Sequence, residues 1–383
     1  MRIAVIGGGP GGLYFAYAWK RRHPDAEIDL FEQNPADATW GFGVVFSEQA
    51  LEFLRADDPD TVDAIAPRME SWNNITLNLR GESVEIDGVG FSSIGRLELL
   101  TILQARAASV GVTLHYETPV ASLDQLANYD LVVAADGLNS LVRRSFEREF
   151  GASISYSSNK FAWYGTTKRF ETLSQTFVRT GRGAFNAHHY RYSPSMSTFL
   201  VECDAVTWQA YGFADKTIEQ SQAICEQVFA ATLDGHRLVS NKSVWRNFPW
   251  VWNENWSLKN IVLIGDALHS AHFSIGSGTR LAIEDAIALA KALEAEKDIP
   301  SALVRYETER KPIVQKMVGA ARTSADWYEK FPSHMNLDPM DFAYSYITRS
   351  GRIDDARLRA MSPAFMARYE ASKHKLQRGG SQE

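Results

Sequence analysis

Cysteine, excess positive charge and long apolar runs are all scarce in this chain of 383 residues. The two cysteines, Cys203 and Cys225, are too few for a disulfide framework and match no metal-ligand spacing, which suits a reducing cytoplasm. The net charge of −6 argues against a nucleic-acid-binding protein, whose binding surface would be basic. No apolar run approaches the roughly 18 residues of a membrane span, and the histidines form no H-x-x-x-H pattern. We therefore expect a cytoplasmic protein with no metal and with no nucleic-acid or membrane partner.

The amino-terminal segment, MRIAVIGGGPGGLYFAYAW, has the order strand, glycine turn, helix. Residues 2–6 are a short apolar run that ends in glycines, which is typical of a buried parallel strand. Helical spacing follows over residues 11–22, and residues 27–32 indicate a second strand. The chain therefore opens with a predicted βαβ unit.

The glycines of this segment fit the dinucleotide-binding motif G-x-G-x-x-G through Gly7, Gly9 and Gly12. Gly7 permits the tight turn, Gly9 lets a pyrophosphate approach the backbone, and Gly12 lets helix and strand pack closely. Glu32 follows Gly12 by 20 residues and would accept hydrogen bonds from a ribose. An ordinary βα turn with a surface glutamate is the alternative. The residues predicted to bind a dinucleotide here are Gly7, Gly9, Pro10, Gly11, Gly12 and Glu32.

A second glycine-bearing loop occurs late in the chain, within IVLIGDALHSAHFSIGSGTR at residues 261–280. A buried strand delivers a carboxylate that can accept from a sugar hydroxyl, and the N-terminus of the next helix can stabilise negative charge. NAD needs only one such site, whereas FAD is long enough for the two loops to hold its opposite ends; a plain βα turn is the alternative. The cofactor-binding residues predicted here are Gly265, Asp266, Gly276, Ser277, Gly278 and Thr279.

A third strand end lies in LVVAADGLNSLVRR, at residues 131–144. The buried strand delivers Asp136 and Gly137, and Ser140 then caps a basic helix start. We predict that Asp136 contacts the cofactor, with a role as a helix cap as the alternative.

Two kinds of strand alternate along the chain. Apolar strands of the parallel type occur near both ends, whereas residues 155 to 255 show strand patterns of an antiparallel sheet with a helix packed on it. We predict an α/β protein in which a Rossmann-like FAD-binding domain is interleaved with an antiparallel-sheet substrate domain and followed by a C-terminal helical segment. The predicted domains are the FAD-binding domain at 1–70, 91–150 and 256–325, the substrate-binding sheet domain at 71–90 and 151–255, and the helical tail at 326–383.

In this order and spacing, the motifs resemble the single-component FAD-dependent aromatic monooxygenases with the p-hydroxybenzoate hydroxylase fold, over roughly residues 1–325. Five segments are similar to the subgroup of salicylyl-CoA 5-hydroxylases and 2-aminobenzoyl-CoA monooxygenases: GFGVVFSEQAL, GFSSIGRLELLTILQARA, KFAWYGT, HYRYSPSMSTFLVEC and GDALHSAHFSIGSGT. The violacein-pathway tryptophan hydroxylase is similar over the same segments. Where the wider family has a proline pair before its glycine loop, this chain has His272 and Phe273.

The resemblance implies an oxygenation in which NADH or NADPH reduces FAD and molecular oxygen adds to form a flavin C4a-hydroperoxide. An electron-rich aromatic ring then attacks the distal oxygen. No second nucleotide fingerprint is present, so the nicotinamide donor is expected to bind transiently. The resemblance also implies further cofactor contacts at Gly43, Val44, Val45, Arg96 and Val120.

Few side chains are candidates for handling the proton of the ring substituent. His272 would lie between the flavin, bound at the 261–280 loop, and the substrate, with packing or backbone hydrogen bonding as the alternative. His188 and His189 fall in an alternating strand, so that one faces in and the other out, and we take His188 as the catalytic candidate. The predicted substrate contacts are Trp163, Tyr190 and Phe273, for which sheet packing is an equal explanation.

The leading functional hypothesis is hydroxylation of salicylyl-CoA to its 5-hydroxy (gentisyl) product, by a monomer or homodimer. The alternative within the class is a hydroxylase of a free aromatic or of an indole- or tryptophan-derived intermediate. An NAD-dependent dehydrogenase and a non-catalytic binding module are the rival classes, and the Asp266 loop argues against the dehydrogenase.

A CoA thioester would need positive charge for its phosphates. The carboxyl-terminal tail is one candidate patch, and Lys168 with Arg169 is another, although a solvated basic surface is the simpler interpretation of both. The candidate arginines of the tail are Arg349, Arg352, Arg357 and Arg359.

Overall fold

The computed structural model describes residues 1–47 and 51–379. Residues 48–50, which belong to the GFGVVFSEQAL segment, and residues 380–383 of the predicted tail lie outside the described residues.

The strands of the described chain form three sheets. In chain order they are β1 (Arg2–Ile6), β2 (Glu27–Phe31), β3 (Gly43–Ser47), β4 (Glu70–Trp72), β5 (Ile75–Leu79), β6 (Glu82–Ile86), β7 (Phe91–Gly95), β8 (Thr113–His115), β9 (Leu131–Ala134), β10 (Ala152–Thr166), β11 (Leu173–Thr180), β12 (Gly183–Arg191), β13 (Ser197–Cys203), β14 (Leu238–Ser240), β15 (Arg246–Asn253), β16 (Ser257–Leu258) and β17 (Ile261–Leu263).

The helices fill the connections and form the carboxyl-terminal part. In chain order they are α1 (Pro10–Arg22), α2 (Glu52–Asp57), α3 (Pro59–Ile65), α4 (Arg96–Ser109), α5 (Leu141–Ser145), α6 (Glu147–Phe150), α7 (Ala205–Ala210), α8 (Ile218–Val228), α9 (Ala230–Leu233), α10 (Gly278–Ala295), α11 (Ile299–Glu329), α12 (Phe331–His334), α13 (Pro339–Thr348), α14 (Asp355–Met361) and α15 (Pro363–Gly379).

The first sheet has the order β16-β17-β9-β1-β2-β8 and is parallel except for the β16–β17 pair. Its central strands are apolar and buried, apart from the exposed Arg2 at the start of β1, which is typical of a parallel sheet covered on both faces. Ala134 of β9 pairs with Ile6 of β1 on one side and with Leu263 of β17 on the other. The three strands therefore end at the same level, and the loops that follow them meet at one edge of the sheet.

The second sheet has the order β14-β10-β13-β12-β11-β5-β6, with β15 paired to β10. Its pairs are antiparallel except for β5 beside β11. One face packs against the carboxyl-terminal helices through residues such as Phe177, Tyr328 and Phe342. The other face packs against α7 and α8 through residues such as Phe185 and Cys225. Both faces are therefore covered over β12 and β13, whose side chains are nearly all buried whichever face they point to.

A third, small sheet of order β3-β7-β4 is hydrogen-bonded to the second sheet through Gly43 and Ser93. At Gly43, the first residue of β3, a Cβ atom would press on the ring of Tyr192 from the segment after β12. This close approach requires glycine and fixes the 43–45 segment against the second sheet.

The predicted fold class is confirmed, including the interleaved antiparallel sheet and the helical carboxyl-terminal segment. The domain boundaries stay a prediction, and the one at 325/326 falls inside α11. That helix continues because Trp327 and Tyr328 pack on the second sheet. Among the described helices, none combines the length and hydropathy that crossing a lipid bilayer requires.

Candidate active site

A cavity of about 1380 Å³ lies between the carboxyl edge of the first sheet, one face of the second sheet and the carboxyl-terminal helices. Its volume exceeds the roughly 300–1,000 Å³ of an ordinary small-molecule pocket. The cavity can therefore hold one very long ligand, or a cofactor and a substrate side by side.

The structure brings most of the predicted site residues to this cavity. Those that line it are Gly9, Pro10, Gly11, Gly43, Val44, Val45, Arg96, Trp163, His188, Tyr190, Gly265, Asp266, Phe273, Gly276, Ser277, Gly278 and Thr279. Those that do not are Gly7, Gly12, Glu32, Val120, Asp136 and His272. The roles of all these residues stay predictions.

The first glycine turn is built so that its backbone faces the cavity. Gly7 has a φ of +103°, and Gly12 lies so close to the carbonyl oxygen of Gly7 that no Cβ atom fits between them. Gly9, by contrast, has no atom within 4 Å of the place where a Cβ would stand. The outer glycines thus close the turn, while Gly9 leaves open space in front of the first turn of α1.

Glu32 braces this turn from the side. Its Oε2 accepts from the Gly8 amide at 2.7 Å, and its Oε1 accepts from the backbone and side-chain nitrogens of Asn34 at 2.9 and 2.7 Å. The carboxylate is therefore already hydrogen-bonded within the protein. Val120 is partly buried against the core of the first sheet and lies outside the cavity.

The second turn, at Gly265 and Asp266, is held by a buried charge network. Asp285 of α10 accepts from the Gly265 amide at 3.0 Å, from His269 Nε2 at 2.7 Å and from Arg310 Nε at 2.8 Å. Burial alone would raise the pKa of Asp285, but His269 and Arg310 lower it to about 2. An ionised Asp285 therefore fixes the turn.

Asp266 lies deep in the fold, yet its side chain is exposed to the cavity. Burial in the fold raises the pKa of its carboxyl, while His269 and Arg96 oppose the shift. Burial likewise lowers the pKa of Arg96, and the charge of Asp266 opposes that change. Arg96 and Asp266 thus both line the cavity and influence each other electrostatically.

Two helices begin at the cavity without a side-chain cap. Gly9 precedes α1 and Ser277 precedes α10, and neither helix has a side-chain hydrogen bond to its first turn among the described residues. The free N–H groups and the helix dipoles give both places an affinity for negative charge.

Asp136 lies just behind this edge. Its Oδ2 accepts from the amide nitrogens of Leu141 and Val142 at 2.7 and 3.4 Å, which is the helix-cap alternative. Its Oδ1 is buried without a hydrogen-bond partner in the part of the chain that the structure describes. One acceptor is thus left over for a ligand or a water molecule.

The second sheet supplies an opposite wall with a buried polar network. His188 Nδ1 lies 2.8 Å from Gln175 Nε2, and its Nε2 lies 3.4 Å from Glu202 Oε2. Glu202 Oε1 accepts from Asn159 Nδ2 at 2.9 Å. Burial lowers the pKa of His188 to about 3 and raises that of Glu202 to about 8, so both groups are neutral at neutral pH.

The two adjacent histidines do point to opposite faces of the sheet, but both are buried. His188 lines the cavity, whereas His189 packs against Phe170 and Phe199 beneath the helices of the other face. The expectation that one of them faces outward is wrong because both faces of the sheet are covered.

His272 lies behind the cavity wall. Its Nδ1 accepts from the Ser274 amide at 3.3 Å, and its ring packs against Phe248 and Trp250. The position favours the packing alternative over direct participation. Phe273, the next residue, is the one that turns into the cavity.

Gln175 lines the cavity and Glu202 lies behind His188, and neither was predicted from the sequence. A glutamate inside the apolar run FLVEC is a signal that would have identified Glu202. Gln175 has no such signal, because its role depends on direct pairing with His188 across β11 and β12.

Three relatives of known activity are similar over most of this chain, and a sequence model of an FAD binding domain matches residues 124–321. Salicyloyl-CoA 5-hydroxylase of a Streptomyces species is 40% identical, covering 97% of this chain and 73% of that protein. 3-hydroxy-4-methyl-anthranilyl-(aryl-carrier protein) 5-monooxygenase of Streptosporangium sibiricum is 37% identical, covering 87% and 90%. Protodeoxyviolaceinate monooxygenase of Chromobacterium violaceum is 34% identical, covering 99% and 100%.

Solved structures share the fold at lower identity. The tetrameric form of 2-methyl-3-hydroxypyridine-5-carboxylic acid oxygenase has a TM-score of 0.68 at 18% identity, covering 94% of this chain and 95% of that one. PqsL of Pseudomonas aeruginosa in complex with 2-aminobenzoylacetate has a TM-score of 0.66 at 19% identity, covering 86% and 96%.

The residues present fit an extended FAD molecule. The uncapped start of α1, with the open space at Gly9, would receive the pyrophosphate. Asp266 would accept from a hydroxyl of the ribityl chain, and the uncapped start of α10 would face the flavin ring.

Two glycine substitutions test this arrangement. Gly9→Ala should leave the melting temperature of the FAD-free protein unchanged, because its methyl group meets open space, but should weaken FAD binding at least about tenfold by occupying the pyrophosphate position. Gly12→Ala should lower both the melting temperature and the affinity for FAD, because its methyl group would collide with the Gly7 carbonyl. FAD titration of the apoprotein and thermal unfolding measure the two effects.

Gly319→Ala is the matched control, because it lies within α11 with no atom within 4 Å of an added Cβ. It should bind FAD normally and be stabilised by about 0.5–1 kcal/mol. Normal FAD affinity in Gly9→Ala would contradict the assigned pyrophosphate position.

Glu202→Gln tests whether Glu202 is protonated, and therefore neutral, in the folded protein. The folded protein keeps the Glu202 proton up to a pKa of about 8, whereas the unfolded chain releases it near the ordinary glutamate value. The stability associated with this proton is therefore present at low pH and is lost as the pH rises through about 8. We expect the melting temperature to fall less between pH 6 and pH 8.5 in Glu202→Gln than in the unsubstituted protein. Glu82→Gln, at an exposed position, is the control. The assignment of a protonated Glu202 would be contradicted if the melting temperature fell equally in Glu202→Gln and in the unsubstituted protein, or if Glu82→Gln reduced the fall as much as Glu202→Gln does.

Proposed function

The chain belongs to the FAD-dependent aromatic monooxygenases, and on this premise we propose that it hydroxylates the ring of an aromatic CoA thioester. The proposed substrate is salicyloyl-CoA, and the proposed product carries the new hydroxyl group para to the existing one, at carbon 5. The observation that carries this proposal is the 40% identity to a salicyloyl-CoA 5-hydroxylase over 97% of the chain.

The chemistry that bound FAD supplies is the activation of molecular oxygen, with NADH or NADPH as the proposed electron donor. A phenol hydroxyl makes its ortho and para carbons electron-rich, so a salicyl ring is activated at carbon 5. The protein has to hold that carbon toward the flavin and to exclude water from the reacting atoms.

Aromatic side chains of the second sheet, together with Phe273 from the loop at residues 261–280, suit this task. Trp163, Tyr190 and Phe273 line the cavity opposite the first sheet. Tyr190 is fixed because its hydroxyl donates to the Gly43 carbonyl at 2.9 Å. We assign these residues to holding the ring and excluding water.

We assign His188 a positioning role in place of the catalytic role expected from the sequence. Gln175 occupies one ring nitrogen, and Glu202 and Asn186 lie at the other. With its pKa lowered to about 3, the ring is a poor proton acceptor at neutral pH. It would hold Gln175 beside the substrate.

The electrostatics of the wall support a thioester over a free acid. Arg349 lines the cavity near His188, but its donors already bond to Ser324 Oγ, the Tyr346 carbonyl and the Ser274 carbonyl. A free carboxylate at this wall would lie beside neutral His188 and an arginine whose donors are already engaged, whereas a thioester brings no charge there.

A free aromatic or an indole-derived compound is the second candidate substrate. The observation that favours it is the 34% identity to protodeoxyviolaceinate monooxygenase, which this chain covers completely.

The proposal is tested by following NADH and NADPH consumption with a panel of salicylate, salicyloyl-CoA, 2-aminobenzoyl-CoA and tryptophan. We expect salicyloyl-CoA to stimulate consumption most, with one molecule of hydroxylated product, identified by mass, for each NAD(P)H oxidised. Hydrogen peroxide is measured in parallel to detect uncoupled turnover.

Benzoyl-CoA is the matched control substrate, because it keeps the thioester but lacks the activating hydroxyl group. It should give no hydroxylated product. Tightly coupled turnover of free salicylate, without turnover of its thioester, would contradict the proposal.

A further inference from the structure

Three arginines stand together at the mouth of the cavity that opens beside the carboxyl-terminal segment. Arg280 lies in the first turn of α10, and Arg352 and Arg357 lie before and within α14. All three line the same cavity as Trp163, Tyr190 and Phe273, the residues assigned to holding the ring. We call Arg280, Arg352 and Arg357 the arginine mouth.

The positive charge of the arginine mouth is poorly balanced by the protein. Arg280 pairs with Glu284 at 2.7 Å, but in the described part of the chain neither Arg352 nor Arg357 forms a salt bridge. The neighbouring carboxylates are engaged elsewhere, since Asp354 accepts from the Arg357 amide at 2.8 Å and Asp355 bonds to the Tyr344 hydroxyl.

The arginines also repel one another. Burial lowers the pKa of Arg352, and the positive charges of Arg357 and Arg280 lower it further. Clustered like charges cost stability unless an anion joins them. A ligand with several negative groups would relieve this repulsion, and the planar guanidinium groups match phosphate oxygens well.

The passage from Trp163 and Tyr190 to the arginine mouth is lined mainly by uncharged residues, and the donors of the nearby Arg349 are engaged by Ser324, Tyr346 and Ser274. Val89, Gly90, Phe91, Ile353 and Met361 line the cavity in this region. At Gly88, a Cβ atom would collide with the Met361 carbonyl, so the β6–β7 connection and the end of α14 lie in direct contact. An uncharged, extended arm fits such a passage, whereas phosphates do not.

We propose that Arg280, Arg352 and Arg357 bind the phosphates of a CoA thioester whose arm runs along this passage and whose aryl group lies at the wall of Trp163 and Tyr190. This inference rests on the proposed function, and it assigns the phosphate-binding end of the substrate. If the aryl group were instead carried on a protein, that folded carrier protein would lie at the arginine mouth where the nucleotide of CoA is proposed to lie.

The test compares salicyloyl-CoA with salicyloyl-pantetheine, which has the same thioester and arm but no phosphates. In Arg352→Gln/Arg357→Gln, the KM for salicyloyl-CoA should rise at least about tenfold, because two charge-assisted contacts are lost. Its kcat should stay within about twofold, and the KM for salicyloyl-pantetheine should not change. Glutamine keeps most of the side-chain stem, and FAD content and thermal unfolding verify that the variant is folded.

Arg359→Gln is the matched control on the same helix. Arg359 is paired with Glu370 at 2.8 Å and does not line the cavity, so both KM values should stay unchanged. A second comparison uses Lys242→Gln/Arg246→Gln on the other rim of the cavity. Selective loss of salicyloyl-CoA affinity in that variant, or equal changes for both substrates in the Arg352/Arg357 variant, would overturn the proposal.

Direct binding of CoA separates the failure of this inference from the failure of the proposed function. If the enzyme turns over neither thioester, the proposed function fails, but calorimetry with CoA itself still tests the arginine mouth. We expect CoA to bind the unsubstituted holoenzyme and to bind the Arg352/Arg357 variant at least about tenfold more weakly. No measurable binding, or equal binding to both, overturns the assignment. Activity confined to a carrier-protein-bound substrate would do the same.

Discussion

The site depends on one backbone constraint: β1, β9 and β17 pair in parallel and end at the same level. Ala134 pairs with both Ile6 and Leu263, so the three loops leave the sheet side by side although they are more than 100 residues apart in the chain. Parallel strands carry their following loops to one edge, and ligands of open α/β sheets bind there. A one-residue shift of β17 would displace Asp266 from the edge and would turn each side chain of β17 to the opposite face of the sheet.

This constraint explains why so many buried polar groups surround the later turn. Gly265 has a φ of +60°, and the chain must turn sharply there to bring Asp266 over the sheet edge. Asp285 holds the Gly265 amide and is itself held by His269 and Arg310, all of them buried. Burying such charges is costly unless each is paired, and here every member of the network has a partner of opposite charge or a hydrogen-bond donor. The hydrogen bonds and ion pairs of the network offset the cost of desolvating its members and fix the position of Asp266.

The sequence predicted those parts of the site that follow local rules. G-x-G-x-x-G and the strand ends at Asp136 and Asp266 depend on short stretches, and Gly9 and Asp266 do line the cavity. Orientation of side chains from the second sheet depends on strand order, which no local pattern contains. His272 was expected in the cavity, but Phe248 and Trp250 hold its ring behind the wall. The pairs Gln175–His188 and Asn186–Glu202 arise from cross-strand register, so the polar network emerged only once β11, β12 and β13 were placed side by side.

Most charged groups of the cavity lie away from the wall at His188, and the arginine beside that wall, Arg349, is hydrogen-bonded to Ser324, Tyr346 and Ser274. The uncapped start of α1 and Arg96 lie beside the first sheet, whereas Arg352 and Arg357 lie beside the carboxyl-terminal helices. The start of α10, which carries Arg280, contributes to both regions. At the wall itself, burial raises the pKa of Glu202 to about 8 and lowers that of His188 to about 3, so that an acid and a base side by side both remain neutral. A charged pair in this wall would need water or counter-charges to support it, and water near the activated oxygen would favour side reactions. Ligands with charged ends and an uncharged reacting part match this arrangement. FAD and a CoA thioester share that property, and their uncharged reacting parts would meet beside this neutral wall.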